Sequence, residues 1–289
     1  MLRVLCRRLG SSPFEKAGGS LHVPGVKHIV AVASAKGGVG KSTTAVNLAL
    51  ALSRLGYAIG LLDTDVYGPS IPRLMNLEGQ KPRVSDRKFL MPLNNYGITC
   101  MSMGFLLGDN APAIWRGPMV QSAIEQMIKQ VEWGAIDVLV LDLPPGTGDA
   151  QLAISQKISL AGAVIVSTPQ DIALLDVRRG CNMFAKVNVP VIGVVENMSY
   201  YICPNCKHEA HVFGHGGAER LASELGVDFL GGIPLHLEVR ETSDSGKPIV
   251  VSNPDSDITA MYLQVARKVA QRVLASPEKA PATPSILME

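Results

Sequence analysis

Aromatic side chains are scarce in this chain: Phe, Trp and Tyr supply 5% of 289 residues, so the core has to be aliphatic, and the 47% hydrophobic content allows that. A chain of this length and apolar content can bury one large α/β domain or two small ones, and one is expected. An excess of charge is missing as well. Lys and Arg total 27 against 25 Asp and Glu, and residues 1–26 hold four of the basic residues but only Glu15 on the acidic side. The remaining 23 against 24 leave no basic stripe for holding nucleic acid, so that partner is not expected.

Cysteine is sparse too. Its five positions, 6, 100, 181, 203 and 206, are too irregular for a disulfide framework in a chain of this length, and they read as thiols of a reducing compartment. No apolar run approaches the roughly 18 residues of a spanning helix, so stable membrane insertion is not expected. Acids are absent before Glu15 in MLRVLCRRLGSSPFEKAGG, where Leu2, Leu5 and Leu9 share one helical face and Arg3 and Arg7 another. This is the composition of a mitochondrial presequence; an ordinary basic, disordered terminus is the plainer alternative. Residues 1–26 are accordingly assigned to a presequence, 27–275 to the folded domain and the Pro/Ala-rich 276–289 to a frayed tail.

Between those ends, short apolar runs alternate with helical periodicities. HIVAVAS (28–34), AIGLLD (58–63), DVLVLDLP (137–144), GAVIVST (162–168) and PVIGVVEN (190–197) read as strands. Helices are expected at 41–55, 118–130, 149–158, 171–186 and 258–274. Strands that are continuously apolar, with helices between them, predict an α/β fold with a mostly parallel sheet covered on both faces. The last helix is basic and amphipathic, which suits either a membrane surface or, more ordinarily, packing on the sheet.

SAKGGVGKSTT (34–44) lies between a strand and a helix, the context that makes a glycine-rich string a phosphate cradle. Gly37, Gly38 and Gly40 let backbone N–H groups close on phosphate oxygens at the positive end of the new helix. Val39 and Thr43 complete the loop. Lys41 would reach the terminal phosphates and the Ser42 hydroxyl would ligate Mg²⁺. Ala35 stands where the usual pattern has its first glycine, so the loop must enter with an ordinary negative φ. In LLDTDVYGPS (61–70) a strand carries Asp63 and Asp65 to its C-terminal edge, and in VLVLDLPPGTGD (138–149) Asp142 ends another strand, where it would hold Mg²⁺ through water with PPG as a flexible switch. No Asn-Lys-x-Asp string for reading guanine occurs.

The string CPNCKHEAH (203–211) admits three readings. KHEAH lacks the periodicity of a thioredoxin-like helix. A zinc site made from Cys203, Cys206, His208 and His211 is chemically legal, but such ligand pairs are normally a dozen or so residues apart. In the third reading, a twofold dimer supplies two thiolates per chain to one 4Fe–4S cluster.

Lys36 together with KGGVGK resembles the deviant-Walker ATPases. The strings LLDTDVYGPS, CMSMGF, WRGP, DLPPGTGDAQL, STPQDIAL and ENMSYYICPNC extend the resemblance over residues 34–206 and narrow it to the Mrp-like iron–sulfur carriers. With the presequence, the chain is most similar to their mitochondrial branch, implicated in supplying clusters during assembly of respiratory complex I. The resemblance implies a homodimeric P-loop ATPase of the mitochondrial matrix that binds ATP and Mg²⁺ and carries a 4Fe–4S cluster on Cys203 and Cys206 to apo-protein clients. It also implies that Lys36 crosses the dimer interface to the partner's nucleotide, that Asp65 orients the hydrolytic water and that Asn197 contacts adenine. A metal-independent partition- or septum-type ATPase and a zinc-stabilised nucleotide switch are the alternatives. No physical argument assigns a role to Trp115 or Arg116.

Overall fold

Aliphatic runs this continuous can be buried only with a layer on each face, and the computed structural model has that arrangement. It describes residues 22–66, 68–106 and 117–274. Most of the expected presequence, the C-terminal tail and Trp115 and Arg116 lie outside the described residues.

In chain order, β1 (Val26–Ala33) leads through the glycine-rich loop into α1 (Lys41–Arg54), followed by β2 (Ile59–Asp63) and a single turn, α2 (Ile71–Leu74). A two-stranded hairpin, β3 (Arg83–Val84) and β4 (Leu90–Met91), precedes β5 (Leu93–Asn95), β6 (Ile98–Ser102) and the short α3 (Met103–Leu106). Then come α4 (Gly117–Lys129), β7 (Ile136–Asp142), α5 (Asp149–Lys157), β8 (Gly162–Ser167), α6 (Asp171–Lys186) and the long β9 (Val191–Ile202). The chain closes with β10 (Glu209–Ala210), α7 (Gly217–Leu225), β11 (Asp228–Leu235), the short α8 (Leu237–Asp244) and α9 (Ile249–Ser252), and α10 (Asp257–Leu274).

One sheet runs β10-β9-β8-β1-β7-β2-β6-β5, with β11 also paired to β9. β1 is central and parallel to both neighbours, Val32 lying beside Asp142 of β7 and Val164 of β8. The chain moves from β1 through α1 to β2 on one side, and from β7 through α5 to β8 on the other. Right-handed crossovers in opposite directions put α1 and α5 on opposite faces and leave a crevice at the C-terminal end of β1. α10 packs on α1 and β11. Its apolar stripe, Ile258, Tyr262, Val265, Val269 and Val273, is buried, and each such side chain contributes about 1.5–3 kcal/mol of transfer free energy. The terminal helix is therefore a sheet-packing helix, and its apolar face is not available to a membrane.

The expected strands and helices are present with ends shifted by one or two residues, except β9, which runs five residues past Asn197. β6 and β11 were not anticipated. ITCMS is short and interrupted by polar residues, and DFLGGIPL is broken by glycines and a bulge. Both are strands because a sheet edge was available to pair with.

Candidate functional site

The phosphate loop turns where the glycines allow it. Gly38 and Gly40 have φ of 80° and 81°, in the left-handed region where side chains are strained, whereas Ala35 has no such φ. Gly40 is the N-cap of α1, and a Cβ there would come within 2.2 Å of Asn197 Nδ2. Ser34 Oγ donates to the Lys36 carbonyl at 2.8 Å, and the Thr44 N–H and hydroxyl both donate to the Gly40 carbonyl at 2.9 Å. The loop is thus closed on itself before any ligand arrives. It borders a cleft of about 290 Å³ that brings together Lys36, Lys41, Ser42, Thr43, Asp65 and Pro145, with Gly37, Gly38 and Gly40 forming the backbone side.

The charges at its floor are buried. Lys41 Nζ lies 2.6 Å from Asp142 Oδ1 and 3.2 Å from Ser42 Oγ, and neither Lys41 nor Asp142 is appreciably exposed. Burial raises the Asp142 carboxyl, opposed by Lys41 and Ser42. Its second oxygen, Oδ2, is buried with no hydrogen-bond partner. A buried carboxylate oxygen left unpaired costs free energy, and it belongs to the carboxylate whose other oxygen holds Lys41, the ammonium that with Ser42 would meet a Mg²⁺·phosphate group. The donor set therefore fits that group.

Residues two apart in a strand share a face, but β2 ends at Asp63, and Asp63 and Asp65 diverge in the turn beyond it. Asp63 is fully buried and accepts from the Asp65 N–H at 3.0 Å, the Ile71 N–H at 3.2 Å and the Ser102 hydroxyl at 3.0 Å. It braces the loop after β2. Burial, with the Asp142 charge second, pushes its carboxyl up to about 7. Asp65 lines the cleft instead, where its Oδ1 accepts from the Gly68 N–H at 3.3 Å.

Two further side chains tie the loop to its surroundings. Lys36 Nζ lies 3.3 Å from Asp176 Oδ2 on α6, a carboxylate shared with Arg179. Asn197, on β9, donates from Nδ2 to the Val39 carbonyl at 2.8 Å. The amide is thus engaged with the loop backbone, and Asn197 does not line the cleft. Sequence reasoning missed Asp176, because nothing local distinguishes an acid in the second turn of a helix. It also missed Glu196, whose buried carboxylate accepts the Ala218 N–H at the start of α7.

β9 carries the paired cysteines. Beyond Asn197 it continues to Ile202, which pairs with Glu209 of β10, so CPNCKH forms the hairpin tip. The Cys203 N–H donates to the His208 carbonyl at 3.0 Å and the Lys207 N–H to the Cys203 carbonyl at 2.9 Å, with Lys207 in the left-handed region at φ 59°. The backbone N–H of Cys206, then that of Asn205, hydrogen-bonds the Cys203 sulfur and holds its thiol below the usual cysteine range. Amides aimed at a sulfur stabilise the thiolate that a metal requires. Cys100 and Cys181 are the opposite case: both are buried, which pushes their thiols up to about 12 and about 11.

Among the described residues, no group of three or more His, Cys, Asp or Glu side chains comes together to hold a metal ion. His211 is engaged elsewhere: Nε2 lies 3.3 Å from Glu209, and Nδ1 lies 3.2 Å from His215 Nδ1 and 3.4 Å from the Ser199 carbonyl. The four-ligand set Cys203, Cys206, His208 and His211 is thus not assembled within one chain.

A parallel sheet with a phosphate loop at its switch point and a buried Lys–Asp pair under that loop defines a P-loop NTPase fold, and here the strand that meets the loop at Asn197 runs on to a thiol-bearing hairpin. Residues 25–270 match the family described as ParA: NUBPL iron-transfer P-loop NTPase. The chain is 58% identical over 258 residues to the iron-sulfur cluster transfer protein NUBPL of Mus musculus, covering 89% of this chain and 81% of that one. It is 55% identical over 252 residues to the Arabidopsis thaliana iron-sulfur protein required for NADH dehydrogenase, mitochondrial, covering 87% and 80%. A solved structure of a nucleotide-binding protein from Archaeoglobus fulgidus in complex with ADP superposes with a TM-score of 0.71 at 39% identity, over 81% of this chain and 90% of that one. This chain belongs to the NUBPL iron-transfer P-loop NTPase family.

Proposed function

We propose that the protein is an ATP-binding iron–sulfur cluster carrier that holds a 4Fe–4S cargo between two copies of the chain and delivers it to apo-proteins during assembly of respiratory complex I. The observation that carries this reading is the hairpin tip. Cys203 and Cys206 stand together at the surface, amides polarise one sulfur, and no third ligand accompanies them among the described residues. A cubane requires four thiolates, so a second chain supplies the other pair across a twofold axis.

Other features support a dimer on this edge. Ile172 and Leu175, 67% and 61% exposed, lie on α6 beside Asp176, the residue that pairs with Lys36. Val212, 61% exposed, follows the cysteine hairpin. A second copy would cover these side chains. The Lys36–Asp176 pair is partly exposed and worth at most about 1 kcal/mol, so Lys36 can leave it to reach the partner's nucleotide.

At the cleft, the loop amides from Gly37 to Thr43 and Lys41 would hold the ATP phosphates, and Ser42 and a water on Asp142 would hold Mg²⁺; adenine would lie beyond the cleft wall, near Asn197. ATP bound with Mg²⁺ supplies a hydrolysable phosphoanhydride. Asp65, in the cleft wall, would orient the water for its slow hydrolysis. The Asn197–Val39 hydrogen bond ties the phosphate loop to the strand that leads into Cys203, which gives the chain a direct mechanical link between cleft and thiols. A relative named as mitochondrial supports the matrix as the compartment, with residues 1–26 as presequence. Import should fail when residues 1–26 are removed, and import at the normal rate would refute the targeting role.

Anaerobic reconstitution tests the carrier reading. Wild type should bind about four irons per two chains. Cys203→Ser or Cys206→Ser should lose the brown absorption and weaken dimerisation, whereas Cys100→Ser, Cys181→Ser and His211→Ala should retain both. A mixed dimer of wild type with the double cysteine variant should hold no stable cluster. Metal retained by isolated monomers, or stripped by His211→Ala as fully as by Cys206→Ser, would replace this reading with a compact zinc site. Full activity without any metal would favour the septum-type ATPase.

A further inference from the structure

We propose that the β3–β4 hairpin is a docking surface for an anionic lipid bilayer, separate from the nucleotide cleft and the cysteine tip. Residues 80–91, QKPRVSDRKFLM, contain Lys81, Arg83, Arg87 and Lys88 against Asp86 alone. All four cations are exposed, and the ion pairs among the described residues involve none of them. Among these charges stand three exposed large apolar side chains, Val84 at 63%, Phe89 at 37% and Met91 at 46%.

The geometry puts two of them on one face. Arg83 pairs with Met91 and Val84 with Leu90, so alternation places Arg83, Phe89 and Met91 on one face and Val84 with Leu90 on the other. Leu90 points the other way and packs on the core, and β4 is fastened by Leu90 N–H to the Gln130 carbonyl at 2.7 Å and Glu132 N–H to the Leu90 carbonyl at 2.9 Å. At the apex, Ser85 and Phe89 close the turn with a 2.8 Å backbone hydrogen bond, and Lys88 sits in the left-handed region at φ 64°. The outer face is therefore a rigid strip with an apolar centre and cations on its flanks and tip.

Charge and size together choose the occupant. A stable protein partner needs about 800 Å² from each side, more than two short strands present. A lipid surface needs only shallow apolar contact and nearby cations. No helix among the described residues is long and apolar enough to cross a membrane, and the α10 stripe is buried, so such contact would be peripheral and made through the hairpin.

Co-sedimentation of the full chain with vesicles of phosphatidylcholine containing about one-third phosphatidylglycerol tests this. Binding should be strong on these vesicles, weak on phosphatidylcholine alone and lost at high salt. Each cation removed should weaken partitioning about fivefold, so Arg87→Gln with Lys88→Gln should lower it about 25-fold. Phe89→Ser with Met91→Ser should lower it about tenfold. Both pairs are exposed, and unchanged thermal unfolding would verify that the fold is intact. Equal binding by variants and wild type, as when residues 1–26 carry all the affinity, would overturn the proposal. Binding of a polyglutamate peptide at the hairpin without vesicle binding would overturn it in favour of an acidic protein partner.

Discussion

Replacing Lys41 with alanine removes more than the proposed phosphate ligand. Its ammonium is 2.6 Å from Asp142 Oδ1 in a site where the lysine is 7% exposed and the aspartate 0%. At an effective dielectric of about 20 the pair attracts by about 6 kcal/mol, most of which offsets the desolvation of both ions. Deleting one partner leaves the other charge buried and alone, which costs about 3–5 kcal/mol. The Asp142 carboxyl, raised by burial and held down chiefly by Lys41, would rise further and take up a proton. Native Lys41→Ala would then bind a proton that the unfolded chain releases above the ordinary carboxylate range. Its deficit should be smallest near pH 5 and grow as pH rises toward 8, at up to about 1.4 kcal/mol per pH unit. Urea unfolding followed by circular dichroism measures this, and titration with a fluorescent ATP analogue should show binding abolished at every pH. Lys41→Ala with Asp142→Asn should recover much of the stability but none of the binding, because the stranded charge is gone while the phosphate ligand is still missing. The reasoning is refuted if Lys41→Ala is as stable as wild type at pH 8, or if the double variant is no more stable than the single one.

Asp65→Asn should bind ATP normally and hydrolyse it more slowly, because Asp65 lines the cleft and an amide oxygen can still accept the Gly68 N–H; normal turnover would remove it from the proposed water-orienting role. Asp63 makes a different prediction. Its carboxyl is raised from 3.8 to about 7, so the native state keeps a proton that the unfolded state gives up. The stability this contributes is present below about pH 4 and lost as pH rises through about 7, and Asp63→Asn should flatten that slope. An unchanged pH dependence of unfolding in Asp63→Asn would show that Asp63 ionises normally.

Features whose cause is local were legible in the sequence. The glycines of KGGVGK, the helix start at Lys41 and the paired cysteines depend on a few adjacent residues, and the apolar runs of β1, β7, β8 and the first half of β9 announce burial on both faces. β6, β11 and the β3–β4 hairpin were illegible because weakly patterned segments become strands only when an edge, a bulge or a neighbouring turn accepts them.

The sequence by itself determined the chemistry of the site: which residues can cradle phosphate, which can ligate a metal and which carry charge. Only the tertiary structure decided how they are used. Asp63 and Asp65 are two residues apart at one strand end, yet the first braces a loop while the second faces the cleft, since hydrogen bonds to Ser102 and Ile71 capture only one of them. Lys41 meets Asp142 across 101 residues, and Asn197 meets Val39 across 158, because parallel pairing brings the ends of β1, β7, β8 and β9 to one edge. Such contacts leave no local pattern, for the distance between two side chains is set by sheet order and register, which belong to the whole chain.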